Sequence, residues 1–101
     1  MNKALSHSVG HSAWNRFEDV RLVQYLLNCV PVSRGGPTRE LVVDGVCGPW
    51  TVRAIFRFKR FRRGSAGARV EPNRQLFHAL LTNDPYPSQP LPPACHASGQ
   101  S

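Results

Sequence analysis

The sequence predicts a mainly α protein, a compact three-helix domain with short extended turn segments. Apolar residues recur at helical spacing in three separate stretches, and proline or glycine bounds each stretch. At 101 residues and 41% hydrophobic composition, the chain holds one small core and no second one. The first helix is expected over about residues 18–29. Val20, Val23, Leu26, Leu27 and Val30 fall on one side, with Arg21, Gln24 and Asn28 opposite. Asn15, with Glu18 three residues on, has the capping-box pattern, and Pro31 closes the far end. Between the first two helices Leu41-Val42-Val43 is a short extended run, where a tiny two-stranded element is expected, and Asp44-Gly45 turns the chain. The second helix begins at Gly48-Pro49, because proline suits a first helical position whose N–H has no partner. It runs to about Arg63 and stops at Gly64, with Thr51, Ala54, Ile55, Phe58 and Phe61 as its core stripe. A third helix follows Pro72, with Leu76, Phe77, Leu80 and Leu81 as its apolar face. The expected core comprises Val23, Leu26, Leu27, Val43, Ala54, Ile55, Phe58, Leu76 and Leu80.

Composition divides the chain in three. Residues 1–14 are polar and aperiodic and read as a flexible N-terminal arm; residues 15–82 form the domain. Residues 83–101 carry five prolines (Pro85, Pro87, Pro90, Pro92, Pro93) and read as a disordered or draped tail. Cys29, Cys47 and Cys95 are odd in number and share no short spacing, which suits reduced thiols better than a disulfide framework or a zinc site. No stretch approaches the ~18 apolar residues of a membrane span. No apolar run follows Lys3, so no secretory leader is visible. A cytoplasmic chain is expected, or one delivered to the periplasm or cell wall by a leaderless route. Net charge is +7, and every basic residue except Lys3 and Lys59 is arginine, the side chain that forks onto carboxylate or phosphate.

Several of these residues together resemble a known family. Val23-Gln24 with Leu27, then Val43-Asp44-Gly45-Val46-Cys47-Gly48-Pro49 with Thr51, Ala54-Ile55 and Phe58, are similar to the bacterial peptidoglycan-binding domain. That family is the three-helix module appended to wall hydrolases, and the likeness covers about residues 18–81, with Val70 and Pro72 as a weaker second copy of the turn. It implies a non-catalytic wall-binding module that targets or accompanies a wall-acting enzyme or a leaderless secretion apparatus. Most of the signature has a structural explanation. Asp44 can accept N–H bonds in its own turn, Gly45 can take positive φ, Gly48 and Pro49 start the helix, and Thr51 faces the core stripe. The chain departs from the family at Trp50, Cys47 and Lys59, and in the long Val32 to Glu40 segment.

Those departures direct attention to the outer side of the second helix. Arg53, Arg57 and Arg60 share that side, flanked by Trp50 and Phe56, and no acid occurs between residues 53 and 63. A solvated basic face is the plainer reading of this pattern. The functional reading is a ligand face of Trp50, Arg53, Phe56 and Arg57, whose aromatic rings stack on sugars and whose guanidinium groups grip stem-peptide carboxylates. Replacing Trp50 or Arg57 is then expected to weaken wall binding and spare the fold. The alternative is a protein-interaction or nucleic-acid-binding domain that reuses the scaffold through the arginine-rich helix. Catalysis is not expected: Glu18, Asp19, Glu40, Asp44, Glu71 and Asp84 each have a capping, turn or surface explanation. His7 and His11 lack a third ligand, so neither metal nor cofactor is expected.

Overall fold

The computed structural model describes residues 3–62, 67–72, 75–86, 89 and 91. Among them the chain is mainly α. Strand β1 (Val9–Gly10) leads to helix α1 (Phe17–Asn28), a 3-10 turn at Val32–Arg34, helix α2 (Pro49–Phe61), strand β2 (Arg69–Val70) and helix α3 (Gln75–Leu81). Helix α1 lies against both α2 and α3, and the small antiparallel pair β1–β2 closes the remaining side.

The helical stripes form the core. Val20, Val23, Leu26 and Leu27 of α1, with Val30 just beyond it, meet Ala54, Ile55 and Phe58 of α2, and Phe77 and Leu80 of α3 complete the cluster. Val43 and Leu76 are only half-buried. Phe61, expected in the stripe, is 53% exposed. It is the last residue of α2, and its side chain lies against Gly35 of the loop.

Residues 3–14 are not a free arm. Val9 is fully buried and pairs with Val70, Gly10 pairs with Arg69, and Leu5 joins the core. The strand pair therefore joins the arm to the segment before α3, and residues 41–43, where strands were expected, carry none. The capping box does not form either. The residue before α1 is Arg16, with no side-chain cap bond. Asn15 adopts a left-handed conformation, and its amide spans both backbone groups of Gly10 (2.7 and 2.9 Å). Asp19, in the first turn of α1, anchors the arm by accepting from the Ser6 and His7 amides and the Ser6 hydroxyl.

The polar side of α1 is also covered. Arg21 and Gln24 are both buried. Gln24 is the clasp between three elements: its Oε1 accepts the amides of Asp44 and Gly45, and its Nε2 donates to Asp44, Val46 and Thr51. A polar residue on the outer side of a helix becomes interior when a loop folds over it and satisfies each of its bonds.

The other end of the chain packs too. Asp84 accepts from the Tyr25 hydroxyl at 2.7 Å and pairs with Lys3 at 2.8 Å, with both charged side chains almost wholly buried. Lys3 also donates to the Tyr86 carbonyl, so the two ends of the described chain are held together against α1. Cys29 and Cys47 are free thiols whose ionisation burial pushes up. The expectations for Arg63 and Gly64, for Cys95 and for the tail over 92–101 fall outside the described residues.

Candidate functional site

Helix α2 sends its core stripe inward and its arginines outward, and a loop from the 3-10 turn to Leu41 rises beside that outer face. Together they enclose an open groove of about 560 Å³. One wall is α2, with Trp50, Arg53, Phe56, Arg57, Arg60 and Phe61; the other is Gly35, Pro37, Thr38, Arg39 and Leu41. Spacings of three and four residues bring Trp50, Arg53, Arg57 and Arg60 into one line along the helix.

The loop wall is braced at both ends. Asn28 holds Leu41 by two bonds, donating to its carbonyl at 2.9 Å and accepting its amide at 2.8 Å. At the other end Arg57 donates to the carbonyls of Gly36 (2.7 Å) and Val32 (3.2 Å). Gly35 closes the 3-10 turn at φ +95°, and a Cβ there would meet the Phe61 side chain at 2.6 Å. Both the left-handed backbone and the close approach require glycine.

Charge in the groove has one sign. Arg39, Arg53, Arg57 and Arg60 line it with no acidic side chain, and among the described residues no carboxylate lies within ion-pair distance of them. Aromatic rings take the place of counter-ions. The Arg39 guanidinium lies 4.6 Å from the Trp50 ring centre, that of Arg53 5.4 Å, and that of Arg60 5.7 Å from Phe56. Four cations without an acid suit an oxyanion, and the aromatic edges suit an apolar portion of the same ligand.

All four expected contact residues, Trp50, Arg53, Phe56 and Arg57, line this one groove. Arg57 is placed differently from the expectation that it is free to be removed, because two loop carbonyls already use its guanidinium. Arg57→Ala is expected to speed amide exchange at Arg34, Gly35 and Gly36, which donate to Pro31 and Val32, while α1 protection stays unchanged. Reading the helix alone missed Arg39, which enters from the loop; its signal was only a basic residue beside Gly35-Gly36-Pro37.

The turn residues stand apart from the groove as scaffold. Asp44 accepts the Val46 amide at 3.0 Å, and Gly45 has φ +77° with the Phe17 ring against its Cα. Gly48 precedes α2 in extended conformation, Pro49 is its first residue, and buried Thr51 accepts from Gln24.

Elsewhere, Ser6 Oγ donates to Asp19 at 2.7 Å and lies 3.1 Å from His7 Nδ1. The serine therefore stands between the acid and the imidazole, an order that differs from a Ser-His-Asp triad, in which the carboxylate holds the histidine. Among the described residues no three His, Cys, Asp or Glu side chains converge as a metal site, and no helix is long and apolar enough to cross a membrane. Comparison with protein families, curated proteins and solved structures finds no match to this chain.

Proposed function

We propose that this chain is a non-catalytic peptidoglycan-binding module whose ligand seat is the groove between α2 and the loop over residues 35–41. It targets or accompanies a wall-acting enzyme or a leaderless secretion apparatus. One observation carries the reading: the four residues expected to contact the wall line a single acid-free groove with a braced opposite wall. Stem peptides offer free carboxylates to the arginines, and the glycan offers sugar faces to Phe56 and Phe61. The resemblance at Val43 to Thr51 supplies the ligand class; the groove supplies complementary chemistry.

A second reading draws on α2 itself, which carries Arg53, Arg57, Lys59 and Arg60 and no acid. Such a helix suits phosphate as well as carboxylate, and a nucleic acid would use it through counterion release.

Co-sedimentation with purified sacculi over a salt series, with duplex DNA as competitor, separates the two. Wall binding predicts retention of the chain at moderate salt. Arg53→Ala is expected to weaken it about tenfold, the scale of a central contact residue, with the thermal melt nearly unchanged because Arg53 is exposed. Binding that collapses with salt and yields to DNA assigns the groove to nucleic acid. Unchanged binding by the variant moves the site elsewhere.

A further inference from the structure

Trp50 is 53% exposed at the first turn of α2, which invites the reading that it stacks on a sugar. Its surroundings argue otherwise. The ring already carries two guanidinium groups, and they come from opposite walls: Arg39 from the loop and Arg53 from the helix. The two like charges, 4.6 and 5.4 Å from the same ring centre and with no carboxylate within ion-pair distance among the described residues, repel each other. The ring quadrupole offsets only part of that repulsion, at about 0.5–1 kcal/mol for each exposed contact. An anion that reaches both guanidinium groups offsets that repulsion and gains forked hydrogen bonds from them.

We propose that Trp50 is a positioning residue, holding Arg39 and Arg53 as a two-guanidinium fork across the groove that takes one carboxylate of a stem peptide. The proposal rests on the wall-binding reading and names the moiety recognised and the residues that recognise it. Preorganisation is built in on both sides. Arg53 stands on a helix, and Arg39 stands two residues from Leu41, which Asn28 clasps. The backbone at both arginines is fixed before a ligand arrives, which lowers the ordering cost of binding. A carboxylate leaves both ring contacts in place.

The test uses the full chain and two soluble muropeptides, identical except that the stem carboxylates are free in one and amidated in the other. Titration calorimetry gives affinities for the parent, Trp50→Leu, Trp50→Phe, Arg39→Gln, Arg53→Gln and the Trp50→Leu/Arg53→Gln double variant, with melts to establish folding. The parent is expected to prefer the free acid about tenfold. Arg39→Gln and Arg53→Gln lose most of that preference, and Trp50→Leu loses it without touching the ligand. The double variant loses no more than the worse single one, since ring and fork act as one unit. Trp50→Phe, which keeps a ring face, retains most of it. If Trp50→Leu weakens both muropeptides equally, the indole contacts sugar and the proposal fails. A parent that binds sacculi but ignores amidation overturns this inference and leaves wall binding standing. A parent that binds neither muropeptide nor sacculi, yet binds DNA, overturns both.

Discussion

Phe58→Ala is expected to cost about 3–5 kcal/mol, the range for removing a fully enclosed aromatic side chain from a core. Phe58 is among the largest wholly buried side chains and sits in the middle of the α2 stripe beside Ala54 and Ile55. Neither β1–β2 nor the loop can close in to fill the space, because each is pinned by its own backbone or side-chain bonds. Domains of this size hold roughly 5–15 kcal/mol in all, so the urea midpoint should drop by about a fifth or more. The slope of the transition should stay the same, since the surface exposed on unfolding barely changes. Phe58→Leu, which refills most of the volume, should lose clearly less.

Asp84→Asn should be nearly as damaging at neutral pH, at about 3 kcal/mol, and its effect should depend on pH. Removing one partner of a buried ion pair leaves the other charge uncompensated, and Lys3 then keeps only neutral partners, backbone carbonyls and the Tyr25 ring. Burial by itself would raise the Asp84 carboxyl. Hydrogen bonds from Lys3, the Tyr25 hydroxyl and the Tyr86 amide outweigh that and hold it below the usual carboxylate value. A depressed folded-state pKa contributes stability that is present above the unfolded value, near about 4, and is lost as pH falls through the folded value. The gap between parent and Asp84→Asn should therefore be full at pH 7 and should narrow steadily below about pH 4. Paired melts across that range measure it. Tyr25, whose hydroxyl is pushed up chiefly by burial and then by Asp84, stays protonated throughout. Lys3→Met added to Asp84→Asn should recover most of the loss, because no buried charge remains and the asparagine oxygen still accepts from the Tyr25 hydroxyl and the Tyr86 amide.

Asp84 and Lys3 also show where sequence reasoning stops. The three helices were legible because their apolar residues recur every three or four positions, and that period survives in any context. Val9 carries no such signal. It is one apolar residue in a polar stretch, and its partner Val70 lies far along the chain. The same holds for Gln24, which is polar by type and interior by circumstance. It is buried because the turn at Asp44 and Gly45 folds over it and gives each of its amide atoms a partner. Phe61 errs in the other direction: the wheel continues the core stripe to the end of α2, but the ring is half exposed and lies against Gly35 of the loop.

The site divides along the same line. Its helical wall was readable, since Trp50, Arg53 and Arg57 keep helical spacing. Its loop wall was not, because the course of residues 35–41 depends on a left-handed glycine and on bonds from Asn28 and Arg57. Those non-local constraints bring Arg39 to Trp50.

Chemical-shift mapping on the labelled chain during titration with a soluble muropeptide tests most directly whether this groove is the wall-binding seat. Saturable shifts should concentrate at residues 35–41, at the backbone of residues 50–61 and at the Trp50 indole N–H, while Trp14, an exposed ring 5.0 Å from that of His7 and absent from the groove lining, and the turn at Asp44 and Gly45 stay unmoved. Saturable shifts confined to the Trp14 and His7 side of the molecule, or no shifts at any muropeptide concentration, would contradict the account.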